Sequence, residues 1–283
     1  MKKIKQLHAV PTSLQRFLQE YFPPANRQVK DWEAFRNDDS GKTFRELIDA
    51  LTKVQHGLCA YCEINLVKMI KGQPVYDREI EHFHPKSDIS HQTDWMFEIT
   101  NLFAACKGGS EVNIFGDKAR SDYRDTARCL PPIKKNLSCG ASKKYKILDN
   151  QILNPIQLPL SPPLFSVSIF NGAISVDENA CHQAGINPEK AKSTIKALNL
   201  NCKRLCEVRK QILKKLDADY RQQRLTLGAT ASFAQIDTLL NQMVAQSLTV
   251  KPNGSLPAFF TTIRVFFGAR AETFLAHLPQ NGI

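Results

Sequence analysis

No apolar run in this chain approaches the roughly 18 residues needed to cross a membrane, so a helical membrane protein is excluded. The start, Met1-Lys2-Lys3-Ile4-Lys5-Gln6, is cationic but lacks the apolar stretch of a secretory signal, and a cytoplasmic location is expected. Glycine and proline, at 13 and 15 of 283 residues, are not in excess, and there is no internal repeat or low-complexity tract. What remains is an ordinary globular composition, 42% hydrophobic and 23% charged, long enough for one large domain or two small ones. Acidic charge is the scarcer sign: 38 Lys and Arg against 27 Asp and Glu leave a net charge of +11. That balance favours contact with nucleic acid or another anionic surface. In a reducing compartment the eight cysteines are expected as ligands or buried thiols, not disulfides.

Three regions follow from the pattern of the chain: a helical segment over 1–55, an irregular core over 56–150, and a mainly helical region over 151–283. In the first, Leu14, Phe17, Leu18, Tyr21 and Phe22 recur at helical spacing until Pro23-Pro24 stops them. A second helix from about Ser40 carries Phe44, Leu47, Ile48 and Leu51 on one face, with Gly57 as its terminator. The pair is expected to pack as a lid or platform beside the cysteine-bearing core. The core is polar and poor in long apolar runs, as expected where metal ligation replaces burial. Lys118, Arg120, Arg124, Arg128, Lys134 and Lys135 make an inserted basic loop within it, either a solvated surface or a nucleic-acid contact. The third region opens with two alternating runs, Ser166–Phe170 and Ala173–Val176, whose junction Asn171-Gly172 suits a type I′ hairpin. Beyond it lies a helix with an apolar stripe (Cys202, Leu205, Val208, Ile212, Leu213, Leu216, Tyr220). Its other face is basic, with Lys203, Arg204, Lys210, Lys214, Lys215, Arg221 and Arg224. Helices over about Ser232–Ser247 and Pro257–Leu278 complete the chain.

The chemistry concentrates between residues 59 and 139. Cys59 and Cys62, two residues apart, form half of a tetrahedral thiolate site, and Cys106 and Cys139 are the candidates for the other half. Cys129 could replace Cys139. Cys202 and Cys206, one helical turn apart, lie in or beside an apolar stripe and are read as packing. Between the cysteine pairs stands Glu81-His82. A neutral imidazole can take a proton from water, and a carboxylate can hold a divalent cation. His84 is the rival base. In a regular strand it would share a face with His82 while Glu81 pointed away, so one common site for Glu81 and His82 requires a bend or bulge.

Together, Cys59-x-Tyr61-Cys62-Glu63, Glu81-His82-Phe83-x-Pro85-Lys86-Ser87, Trp95, Asn101-Leu102, Cys106 and Cys139-x-x-x-Lys143 resemble the HNH nuclease superfamily. More narrowly they look like the PtuB-type effectors of Septu and retron-associated anti-phage systems. Asn154-Pro155, Pro162-Pro163-Leu164-Phe165, the Asn171-Gly172-Ala173-Ile174 hairpin and Leu198-Asn199-Leu200 add to the narrower likeness. The resemblance implies an α+β fold with a zinc-stapled ββα-metal core, flanked by the helical segment and the helical C-terminal region. His82 would be the general base, Glu81 a ligand of catalytic Mg²⁺ or Mn²⁺, and Asn101 a brace orienting His82. Cys59, Cys62, Cys106 and Cys139 would hold structural Zn²⁺. The substrate would be DNA or an RNA such as tRNA. The implied partners are a PtuA-type ATPase and, in retron systems, a reverse transcriptase with its RNA–DNA hybrid.

One departure matters. The family pattern usually places His, Asn or Asp after the last cysteine pair, and here Gly140 follows Cys139. Ser142, Asn136, His84 or water would have to complete the cation site. The opposing readings are a zinc-stapled nucleic-acid-binding module without cleavage and a scaffold that docks a partner through its helical third.

Overall fold

Apolar residues at every third and fourth position make the segment over 1–55 helical, and the computed structural model, which describes residues 1–21, 31–88, 90, 93–110 and 134–278, has helices there. Helix α1 (Thr12–Tyr21) buries Leu14 and Phe17. Helix α2 (Trp32–Asn37) starts at Asp31, whose carboxylate accepts the amides of Glu33 and Ala34 and so satisfies donors that a first turn leaves open. Helix α3 (Lys42–Val54) buries Leu47, Ile48 and Leu51, and Gly57, at φ 74°, closes it by donating its N–H to Thr52 O at 2.8 Å. Phe22, Pro23 and Pro24 lie outside the described residues.

The middle region, expected to be irregular, contains four short strands. Strands β1 (Val67–Ile70) and β2 (Gln73–Tyr76) form one antiparallel pair; β3 (Glu79–His82) and β4 (Leu102–Ala105) form another. Four residues are too few to print a recognisable alternation in sequence. The far edge of β4 is closed by the segment entering the first cysteine pair. The buried amide of Gln55 accepts from Ala104 N at 2.8 Å and donates to Ala104 O at 2.7 Å, and Ala60 N also reaches Ala104 O. A side chain thereby completes the ladder and fixes Cys59 and Cys62 beside the strand carrying Glu81 and His82. A short helix, α4 (Gly140–Lys143), then abuts β3. Residues 111–133, with Lys118, Arg120, Arg124, Arg128 and Cys129, lie outside the described residues.

The C-terminal hairpin forms, but not with a two-residue turn. β5 (Phe165–Val167) pairs with β6 (Ile174–Val176), Val167 opposite Ile174, so the connection runs from 168 to 173. Gly172 lies against the neighbouring helix, and a Cβ there would come within 1.9 Å of Cys206 O. Close approach, more than turn type, requires this glycine. Helices α5 (Glu178–Gln183), α6 (Pro188–Ala197), α7 (Lys203–Thr226) and α8 (Phe233–Leu248) follow. The single helix expected over Pro257–Leu278 is two, α9 (Phe260–Phe267) and α10 (Ala269–Ala276), broken at Gly268 with φ 54°. Among the described residues no helix is long and apolar enough to cross a membrane.

The expected basic face of α7 is also revised. Arg204 and Arg209 are buried; Arg204 Nε donates to Asn136 O at 2.8 Å and Arg209 Nη1 to Leu200 O at 2.8 Å. Lys215 pairs with Asp219 and Arg221 with Asp217. Long cationic side chains can turn inward when carbonyl acceptors wait there, which helical spacing alone does not reveal. One large core joins Leu14, Phe17, Leu47 and Leu51 to β3, β4, the cysteines and Leu205; a second packs Leu239, Met243, Phe260, Ile263 and Phe267.

Candidate metal centre and catalytic strand

The four cysteine sulfurs converge. Cys59, Cys62, Cys106 and Cys139 are all buried, and their Sγ atoms lie within 4.8 Å of one another. Cys62 and Cys106 are 3.6 Å apart, Cys106 and Cys139 3.8 Å, Cys59 and Cys139 3.9 Å. A zinc ion at about 2.3 Å from each of four tetrahedral sulfurs needs edges of about 3.8 Å, so the cluster fits Zn²⁺. Burial, followed by contacts with the neighbouring thiols, pushes the Cys139 thiol well above its ordinary value. Four crowded sulfurs cannot all ionise without a cation among them. Two donors point at the cluster: Cys106 N–H at Cys59 Sγ, 3.3 Å away, and Ser138 Oγ at Cys139 Sγ, 3.5 Å away. Arg204 in turn bonds Ser138 Oγ. Ser138 adjoins Cys139 in sequence, but no sequence signal marks Arg204 as a support of this cluster, because it stands 66 residues from Ser138.

Strand β3 places Glu81 and His82 on opposite faces. It pairs with β4 residue for residue, Glu81 opposite Phe103 and His82 opposite Leu102, with no bulge to turn them together. The Glu81 carboxylate faces α4: Oε1 takes Lys143 Nζ at 2.9 Å and Tyr61 OH at 3.4 Å. Burial raises the Glu81 pKa, with Lys143 opposing it. Oε2 lies 2.3 Å from where a Cβ on Gly140 would be, and Glu79 Oε1 lies 3.3 Å from the same point. The side chain that Gly140 lacks is thus the room these two carboxylates use. Glu79 was missed in sequence, although its place two residues before Glu81 on a strand is the signal that would have found it. Carboxylate oxygens suit Mg²⁺ or Mn²⁺, so the donor set fits a hard cation. Gly140→Ala should displace the Glu81 carboxylate and weaken binding of a hard divalent cation while leaving the metal content of the cysteine cluster intact; unchanged cation binding in that variant would show that the notch is not needed.

His82 faces the other way. The residue is 8% exposed and its ring packs edge-on against Trp32 of α2, centroids 4.6 Å apart, and Lys86 Nζ lies 4.4 Å from the Trp32 ring centroid. Nε2 sits 3.0 Å from Met96 O, which can only accept, so Nε2 carries the proton and Nδ1 keeps its lone pair. Burial lowers the His82 pKa to about 4. Lys143 Nζ, besides holding Glu81, donates to the backbone carbonyls of His82 at 2.7 Å and Phe83 at 3.2 Å.

Asn101 braces the loop after β3. Its Oδ1 accepts His84 N at 2.7 Å, and its Nδ2 donates to His84 O at 2.9 Å and Trp95 O at 2.7 Å. It touches the backbone around His82 and not the imidazole. The rival, His84, has both nitrogens engaged at 2.8 Å, by Asp149 and by Asp88, and its ring stacks on Trp95. Ser142 Oγ is turned to Ala197 O, away from the Gly140 notch.

The chain is 32% identical over 199 residues to the protein named "Retron Ec83 putative HNH endonuclease" from Escherichia coli, a match covering 64% of this chain and 70% of that protein. No family model matches the chain.

Proposed function

This chain belongs to the HNH endonuclease family, and on that premise we propose that it hydrolyses phosphodiester bonds of DNA or RNA at β3. The observation that carries the reading is the convergence of Glu79 and Glu81 on the Gly140 notch, on the strand that ends in His82. In this proposal β3, β4 and α4 form the ββα-metal unit over 56–150, and Glu81 Oε2 with Glu79 holds the catalytic cation. Mg²⁺ or Mn²⁺ there would supply charge neutralisation at the phosphorane-like transition state. Lys143 holds Glu81 Oε1 and the His82 carbonyl together, fixing the carboxylate relative to the base. In this reading His82, neutral and anchored through Nε2 at Met96 O, is the base at Nδ1; it lies on the face of β3 opposite Glu79 and Glu81, so base and cation meet one phosphate only around the end of the strand, where His82 is the last residue. Because Trp32 covers the ring, water reaches Nδ1 only when that contact opens. The tetrathiolate supports the strand and carries no chemistry of its own.

The retron context of the relative supports a place in anti-phage defence. We propose a cytoplasmic effector acting with a PtuA-type ATPase and, in a retron, with a reverse transcriptase and its RNA–DNA hybrid, the region 151–283 making the partner contacts. A toxic nuclease would be held in check within such a complex. The test is incubation of the protein and its partner with DNA and with total RNA in Mg²⁺ or Mn²⁺. Degradation of one of them identifies the substrate; intact DNA and RNA in every condition would sink the nuclease reading.

A further inference from the structure

A groove separate from the Gly140 notch opens between the end of α3, the β1–β2 hairpin and the turn at 251–255, with a cavity of about 600 Å³. Its walls bring together Lys53, Lys68, Arg78 and Lys251, and Asp49, paired with Arg78 at 2.7 Å, is the one carboxylate residue among those lining it. These cations come from elements remote in sequence. The turn presenting Lys251 is closed by Lys251 N to Ser255 O and Gly254 N to Lys251 O, both 2.8 Å, and is docked through His56 Nδ1 at Gly254 O. The groove is therefore built, not a chance crowding of mobile lysines.

Two side chains on its floor are unusual for a solvated surface. Met69 is 65% exposed and Tyr76 is 48% exposed, with the Arg78 guanidinium 4.4 Å from the Tyr76 ring centroid. Cations interleaved with exposed flat or polarisable groups suit a strand whose bases are free to stack while its phosphates meet lysine. Arg78 immediately precedes β3, so the groove ends next to the strand that carries Glu81 and His82. The α7 face offers a poorer track: Arg204 is buried, and Lys215 and Arg221 are paired with Asp219 and Asp217.

We propose that this groove holds a single strand of nucleic acid and leads it to β3, and that α7 does not. The assignment rests on the nuclease reading for what happens at β3, but binding can be measured without cleavage. The probe is a fluorescent single-stranded oligonucleotide of about 20 nucleotides, titrated across a salt series without added Mg²⁺ or Mn²⁺. Lys53→Glu combined with Lys251→Glu should weaken binding about tenfold or more and flatten the salt dependence by roughly 1.4, as expected for two lost phosphate contacts. Lys210→Glu with Lys214→Glu should change it less than about twofold. Unaltered zinc content and melting temperature confirm that the variants fold. Wild-type affinity in the groove variant, an equal or larger loss in the α7 variant, or no oligonucleotide binding by the parent would overturn the assignment. A parent that binds through the groove yet cleaves nothing would refute the nuclease reading and leave the groove standing.

Discussion

His82→Ala should reduce cleavage by about 10²–10⁴-fold, the usual contribution of a positioned general base. The expectation comes from one hydrogen bond and one burial. Met96 O fixes the proton on Nε2, and burial under Trp32 holds the ring neutral, so Nδ1 keeps its lone pair at pH 7 and can accept a proton once the Trp32 contact opens. Loss of the ring also empties space under Trp32, so zinc content and thermal melting must accompany the kinetics. A folded, zinc-loaded variant that cleaves at the parent rate would remove His82 from the mechanism. The same burial sets a stability trend with a defined sign. The unfolded imidazole takes up a proton near pH 6.5, whereas the folded one resists until about 4. The unfolded state therefore binds more protons between these values, and stability should fall as pH drops through that window. Melting curves without added divalent cation would show it, and His82→Ala should lessen the slope.

The second large effect is metal removal. One Zn²⁺ per chain is expected, and chelation or Cys59→Ser should unfold the middle region, because binding to four thiolates is worth about 10–16 kcal/mol in comparable structural sites. The site carries more than its own loop. Cys59 and Cys62 abut β4 through Ala60 and Gln55, Cys106 follows β4 directly, and Cys139 leads into α4 against Glu81. Cys139 sits at φ 56°, a strained conformation for a residue with a side chain, and ligation supplies a reason for it to persist. Chelation followed by circular dichroism and metal analysis decides the matter. A folded, metal-free protein would show that the sulfurs pack as thiols and that the staple does not exist.

The sequence by itself determined Cys59, Cys62 and Cys106, most of the longer helical segments, and the family resemblance, because each is written in local spacing: two residues between Cys59 and Cys62, three and four between apolar helix positions, and an adjacent Glu81-His82 pair; Cys139 over Cys129 was left to the fold. It also exposed the departure at Gly140. What the missing side chain does there was not legible, since the oxygen occupying its space belongs to Glu81, on a strand whose pairing is set by β4. The same reason hid Glu79, the Lys143 bridge, the inward turn of Arg204 and the groove at Lys53 and Lys251. Strand register decided that Glu81 and His82 look to opposite faces, and packing decided that α2 covers the imidazole. Local pattern specifies which residues form an element; long-range contact alone specifies which side chains meet.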